Sequence, residues 1–121
     1  MNKDDLIAGL RGLAEELKPF TQEVRSGGRV WNGTAYVQAE SRQADPYALM
    51  WWSTLTFTAD LLGAQDTPLS AEQSAQLRRK IFGGMGSFND YCIDENRGGD
   101  TAKMANHRLN ERRSALFKVF S

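Results

Sequence analysis

The stretch ADPYALMWWSTLTFTADLLG, residues 44–63, decides the fold. Asp45 is a typical helix N-cap, Pro46 suits the first helical turn, and Gly63 is typical of a helix end. Apolar residues cover most of the circumference of this helix, with one stripe and its flank formed by Trp52, Leu55, Ala59, Leu62, Met50, Phe57 and Leu61. The pattern predicts that this helix is the central and most buried one. Asp60 lies near the apolar face, and we expect it to form a structural ion pair, for example with an arginine, or to lie at an edge.

Three further helices are predicted on either side of this stretch. The first has Asp4 or Asp5 as its cap, ends at Pro19, and buries Leu6, Leu10, Leu13 and Leu17. The next opens with a capping box, Ser70 and Gln73, and runs to Phe82 with Ala75, Leu77 and Ile81 inward. The last opens at Asp100 after the breaker NRGGD, and its buried side comprises Met104, Ala105, Leu109, Leu116, Phe117 and Phe120.

Residues 20–44 lack a helical period. Two short β-favouring runs flank Asn32 and Gly33, which indicates either a short hairpin or a plain loop. We therefore predict a mainly all-α fold: a single domain, residues 1–121, built as a compact bundle of about four main helices with an irregular or hairpin insertion after the first.

Composition and charge favour a globular cytoplasmic domain. Hydrophobic residues make up 40% and charged residues 25%, and fifteen basic residues balance fifteen acidic ones. Residues 1–77 hold an excess of acids and residues 78–121 an excess of bases, yet the neutral total argues against a nucleic-acid partner. The first ten residues are too charged for a secretory signal, and residues 49–62 are too short and polar to cross a membrane. Cys92, the single cysteine, indicates a reducing compartment and is expected to be a small buried residue.

The glycine-rich stretch IFGGMGSFNDYCIDE, residues 81–95, is the strongest candidate for a site. Gly83 or Gly84 suits the left-handed end of a helix, and Ser87 followed by Asp90 resembles the start of one or two new helical turns. We therefore expect a structural turn. The alternative is a ligand loop, formed by Gly83, Gly84, Gly86, Ser87, Asn89 and Asp90, that holds an anion. Against the alternative, the stretch lacks the Lys-Ser/Thr of a P-loop, and Asp90 would repel phosphate.

No pattern in the chain compels catalysis or a cofactor. His107 has no second histidine or cysteine at ligand spacing, so we predict no metal site and no catalytic residue. Asp90, Asp94 and Glu95 form an acidic group without the spacing of an EF-hand loop. The chain has more aromatic residues than its core needs, which predicts a partner-binding face that includes Trp31, Tyr36, Tyr47 and Trp51 together with Asp94 and Glu95.

The octapeptide GGMGSFND, residues 83–90, together with DPYALMWW and LSAEQ, resembles an uncharacterised family of small bacterial proteins. That family is marked by Gly-Gly-Met-Gly-Ser, an aromatic residue or Leu, and Asn-Asp. The resemblance covers residues 45–93 and implies a small cytoplasmic accessory protein, and some chains of this type resemble immunity proteins that neutralise a toxin. We therefore expect a non-enzymatic protein-binding protein, most simply an immunity protein. The alternative is a small ligand-binding domain or enzyme that uses the Gly84–Asp90 loop.

Overall fold

The protein is an all-α bundle with a short hairpin insertion. The computed structural model describes residues 2–23, 29–31, 33–38 and 43–120. Its helices are α1 (Lys3–Leu17), α2 (Pro46–Ala64), α3 (Ala71–Phe82) and α4 (Glu95–Val119), with single 3-10 turns at Lys18–Phe20 and Phe88–Asp90. Strands β1 (Arg29–Trp31) and β2 (Tyr36–Gln38) pair antiparallel within the insertion. The predicted fold class is thus confirmed.

Helix α1 occupies the centre of the bundle, because α2 packs on one of its sides and α4 on another. Its predicted stripe is confirmed, since Leu6, Leu10, Leu13 and Leu17 are all fully buried. The predicted cap was wrong: the side chain of Asn2, not of Asp4 or Asp5, accepts a hydrogen bond from the Asp4 amide at 2.9 Å. An N-cap lies one residue before the first helical position, so the helix simply begins earlier than the two aspartates indicated.

Helix α2 lies at an edge of the bundle, which corrects the prediction that it is central. Its buried face comprises Ala48, Trp51, Leu55, Ala59 and Leu62. Trp52 is only half-buried, and Met50, Phe57 and Leu61 are exposed on the opposite face. Asp45 caps the helix as predicted, but the helix continues through Gly63 to Ala64. An almost entirely apolar circumference shows that burial is possible on every side, but it does not show which side the rest of the chain covers.

The connection from α2 to α3 is closed by polar side chains. The capping box of Ser70 and Gln73 is present as predicted, and Gln73 also donates to the side chain of Gln65 at 2.8 Å. Of the three residues predicted to point inward from α3, Ile81 is buried, Leu77 is half-buried and Ala75 is exposed. The prediction for Ala75 was wrong because α3 covers the bundle with a single narrow stripe near its end.

The range of α4 contains two helical parts that meet at Gly99. Asp94 caps a short first part, residues 95–98, and Gly99 then departs from helical geometry, with φ 60° and ψ −144°. The main part begins at Asp100, directly after the glycine pair, as predicted. Beyond the kink Ala105, Leu109 and Leu116 are buried as predicted, whereas Phe120 is half-buried and Met104 and Phe117 are exposed.

The two ends of the insertion, next to Phe20 and Asp45, lie side by side on the bundle. The amide of Asp45 donates to the carbonyl of Phe20 at 2.9 Å and closes its base. Within it Trp31 lies opposite Tyr36, so residues 32–35 form the connection, longer than a two-residue turn. Gly33 has a positive φ of 99°, which suits a hairpin connection, and the predicted hairpin is therefore present. Asn32 lies outside the described residues. Among the described helices, none is long and apolar enough to cross a membrane.

Candidate functional site

The candidate site is the irregular chain between α3 and α4 together with the first residue of α4, residues 83–95, which we name the anchored segment. Two of its side chains, Phe88 and Ile93, are buried in the core. Most of the others point to solvent, among them Met85, Asn89, Asp90, Cys92, Asp94 and Glu95. The segment therefore presents a polar and acidic surface on an apolar base.

The glycines of this segment build a tight turn. The amide of Ser87 donates to the carbonyl of Gly84 at 2.9 Å, and Gly86, with φ 82°, occupies the third position, as in a type II turn. Gly84 itself has φ 103° and directs the chain away from the end of α3. Both conformations favour glycine, so the structural explanation of the two residues holds. The turn places Met85 at its tip, where the side chain is fully exposed.

The helical turn predicted after Ser87 is present as one 3-10 turn, Phe88–Asp90, with Ser87 at its N-cap position. The side chain of Ser87, however, makes no capping hydrogen bond. The Oγ atom is buried and has no hydrogen-bond partner among the described residues. The physical reason is that the amide of Asp90 is already satisfied by the backbone carbonyl of Ser87. A ligand bound at the surface of this loop would not reach the Ser87 hydroxyl.

Arg113 of α4 holds the middle of the segment. Its Nη1 atom lies 3.3 Å from the carbonyl oxygens of Phe88 and Asn89 and 2.8 Å from that of Tyr91. The guanidinium also stacks over the Phe88 ring, 5.6 Å from its centroid. Burial lowers the pKa of Arg113. Charged donors to carbonyl oxygens are among the stronger protein hydrogen bonds, so this side chain fixes the backbone of the segment.

Asp45 fixes the end of the anchored segment. The sequence pattern predicted only its role as the cap of α2. One carboxylate oxygen accepts from the amides of Tyr47 and Ala48, at 3.0 and 3.2 Å, and so caps α2. The other accepts from the Asp94 amide at 3.1 Å and from the Tyr91 hydroxyl at 3.4 Å. The side chain is buried, at 3% exposure. Burial, and next the Asp45 carboxylate, raise the pKa of Tyr91.

The residues predicted to bind a partner divide into three groups. Asp45 brings Tyr47, Asp94 and Glu95 to one end of the bundle, and all three are exposed. Trp31 and Tyr36 are also exposed and stack edge to face on the hairpin, with ring centroids 5.2 Å apart.

The prediction that Trp51 lies on the partner-binding face was wrong. This residue is 7% exposed, because its ring packs edge to face against Phe88 at 5.1 Å, and it belongs to the core. Local spacing placed Trp52 in the core stripe instead. Trp51 is the one that is buried, because it contacts Phe88, and Phe88 lies too far along the chain for local spacing to reveal that contact.

Asp94 has a structural task besides its exposure. Its side chain accepts from the Asn96 amide at 2.9 Å and pairs with Arg97 at 3.3 Å, and Arg97 in turn donates to the carbonyl of Ala44 at 3.1 Å. The neighbouring Glu95 is exposed, and its carboxylate accepts from the side chain of Asn106 at 3.4 Å. Of the two acids, Glu95 is therefore the one that can change without altering a helix cap.

The other candidate residues of the sequence lie apart from one another in the described ranges. No set of three or more His, Cys, Asp or Glu residues in the described ranges could hold a metal ion. His107 is exposed and lies 3.2 Å from Glu111, one helical turn away. Asp60 pairs with Arg11 at 2.9 Å, as predicted. Cys92 is exposed, which corrects the expectation of a buried residue: the flanking Tyr91 and Ile93 supply the inward-facing side chains instead.

A shallow cleft of about 520 Å³ adjoins the anchored segment, and it is lined by Phe82, Asn89, Asn110, Arg113, Ser114, Phe117 and Lys118. Its most buried cation, Arg113, already serves three backbone carbonyls and also donates to the side chain of Asn110. The cleft therefore offers an anion little beyond the exposed Lys118 and the neighbouring amide groups.

A family model described as a domain of unknown function, DUF6966, matches residues 51–102. Over this part the chain is similar to that family. The matched residues run from the first buried tryptophan of α2 through α3 and the whole anchored segment to Ala102 of α4. No curated protein and no solved structure matches the chain. The family match thus coincides with the candidate site but brings no chemistry to its residues.

Proposed function

We propose that the protein acts by binding another protein, without catalysis, through the anchored segment and the adjacent Tyr47. The observation that carries this proposal is the rigid support of an irregular, solvent-facing segment. Arg113 bonds three of its carbonyls and Asp45 bonds its end, while Met85, Asp90 and Glu95 remain exposed. A surface that is already ordered loses little conformational entropy when a partner binds.

The chemistry of this surface suits a partner with a basic rim and a small apolar depression. Asp90 and Glu95 supply the charge, and Met85 supplies a flexible apolar side chain of the kind common at binding surfaces. Within this class we propose an immunity protein of the cytoplasm that neutralises a cognate toxin by covering it. The resemblance of the sequence to small bacterial accessory proteins supports that choice, as does an exposed unpaired thiol, which suits a reducing compartment.

The test is a parallel capture with matched charge reversals. Tagged wild-type protein, Glu95→Lys and Glu72→Lys are each purified from cells of the source organism, and proteins that co-elute near stoichiometry are identified. Glu72 and Glu95 both lie in the first turn of a helix and both are exposed, so both reversals oppose a helix dipole to a similar degree. Glu95→Lys also loses the long bond from Asn106, so the melting temperatures of both variants are measured beside the capture. We expect a partner that wild type and Glu72→Lys retain and that Glu95→Lys loses.

The immunity reading requires a second result. The captured partner should arrest growth when it is expressed alone, and co-expression of wild type or Glu72→Lys, but not of Glu95→Lys, should restore growth. A partner that all three proteins retain equally would contradict the proposed surface. Purification of a stoichiometric small molecule and no protein would contradict the function and favour a ligand site.

A further inference from the structure

The outward face of α2 carries an apolar stripe that the described chain leaves open. Met50, Phe57 and Leu61 are 48%, 64% and 56% exposed. At 100° per residue the three side chains fall within about 40° of one another, opposite the buried face that contains Ala48 and Leu55. Eleven residues separate the first from the last, so the stripe runs along about 16 Å of helix.

This stripe is also electrically neutral. Asp60 is the only charged residue between Pro46 and Ala64, and its carboxylate is paired with Arg11 at 2.9 Å. Exposed helix faces normally carry charges of both signs, which keep them in water. The whole chain is neutral as well, with fifteen basic and fifteen acidic residues, so two copies do not repel one another through net charge.

We propose that this stripe binds the same stripe of a second copy, in an antiparallel pair of α2 helices related by a two-fold axis. The register follows from the sequence. With the axis between Leu55 and Thr56, Met50 of one copy meets Leu61 of the other, and Phe57 meets the smaller Thr54. Large residues thus oppose small ones or flexible ones at every contact, which is the requirement of a self-complementary interface.

A second copy fits this face better than a charged partner does. A partner with a charged surface would have to bury its charges against α2 residues that offer no free counter-charge, whereas an identical face buries only apolar and hydroxyl groups. Lys80 of α3 lines a cleft with Leu61 and so borders one end of the stripe.

The anchored segment packs on the buried side of α2 through Trp51 and Phe88 and stays open in the dimer. Of the surface in the proposed function, only Tyr47, three residues before Met50 on α2, lies beside the stripe. The stripe is smaller than a standard interface, so we expect dissociation in the micromolar range.

The first test is sedimentation equilibrium of the full chain at concentrations from about 5 to 500 µM, a range chosen around that expected dissociation constant. We expect wild type to shift from monomer to dimer, Phe57→Glu to stay monomeric, and Met85→Glu, a matched change at another exposed apolar residue, to dimerise like wild type. Leu61→Lys serves the same purpose as Phe57→Glu should that variant fold poorly, as judged by circular dichroism. A wild type that is monomeric throughout overturns the proposal, as does a dimer that both stripe variants retain.

The second test checks the register by disulfide formation in a Cys92→Ser background, which removes the exposed native thiol. Met50→Cys and Leu61→Cys proteins are oxidised separately and then as a mixture. In the antiparallel register like residues lie about 16 Å apart along the axis, so neither protein alone cross-links, whereas the mixture does. Cross-linking of each protein with itself, or no enrichment in the mixture, contradicts the register.

Discussion

Single side chains, rather than regular structure, determine the shape of the candidate site. Asp45 is the clearest case, because one buried carboxylate caps α2, receives the start of α4 and accepts from Tyr91. An N-cap aspartate is evident from sequence, since the cap and the helix are neighbours in the chain. Its second oxygen bonds residues almost fifty positions away, and no local pattern indicates that.

Replacement of Asp45 tests this double role. Asp45→Ala removes the cap and leaves the Asp94 amide without its partner, so we expect a loss of about 2–3 kcal/mol in the free energy of unfolding. Asp45→Asn keeps an oxygen for one side only and should lose about half as much. Urea denaturation followed by circular dichroism measures both values. An asparagine variant as stable as wild type would show that the second oxygen contributes nothing to stability.

Tyr91 makes stability depend on pH at the alkaline end. Its pKa is raised in the folded protein, first by burial and then by Asp45, so the folded state keeps the phenolic proton after the unfolded chain has lost it. The unfolded chain then binds fewer protons, and stability falls as the pH rises above about 10, the ordinary pKa of tyrosine.

The measurement compares wild type with Tyr91→Phe. Melting temperatures from pH 8 to about pH 11 should fall more steeply for wild type, and the difference between the two proteins should be constant below about pH 9. Parallel curves over the whole range would show that the Tyr91 proton is not retained on folding.

At the scale of the helices, two glycines within helix ranges differ in the space that surrounding atoms leave for a side chain. A Cβ atom on Gly98 would lie 2.6 Å from the Cβ of Ala102 and 3.1 Å from the Phe20 ring, just before the kink at Gly99. A Cβ atom on Gly63, inside α2, would meet no atom within 4 Å. Sequence alone marks both as helix breakers, because propensity carries no information on contacts with other parts of the chain.

Alanine substitutions therefore have opposite expected signs. Gly63→Ala should raise the free energy of unfolding by about 0.5–1 kcal/mol, the usual gain of alanine over glycine within a helix. Gly98→Ala should lower it by about 1–3 kcal/mol, because the added methyl group overpacks a buried contact. Thermal unfolding of both variants and of wild type measures the sign of each change. A stabilised Gly98→Ala variant would mean that the kink relaxes to make room.

At the scale of the whole molecule, the helices and the buried stripe of α1 could be predicted, whereas the arrangement of the helices could not. Each stripe is local: Leu6, Leu10 and Leu13 align at helical spacing whatever they contact. The central place of α1 depends instead on close approach, since a Cβ atom at Gly9 would lie only 2.6 Å from Leu116 of α4. The glycines of the anchored segment marked it in the sequence. Its hydrogen bonds to Arg113 and Asp45 connect residues that are distant in the chain, so no local sequence pattern indicated them.

The closed base of the insertion has a consequence for how such proteins diversify. Because the Asp45 amide bonds the Phe20 carbonyl, the bundle already holds the two points between which the insertion runs, and the entropy of loop closure changes little with the length of chain between them. Replacement of residues 24–42 by a four-residue Gly/Ser linker should leave the helical circular dichroism intact and move the melting temperature by only a few degrees. Loss of cooperative unfolding would show that the insertion is required for the bundle. If the bundle tolerates the exchange, this position is where a lineage can gain, lose or replace a whole segment while the rest of the protein is inherited unchanged.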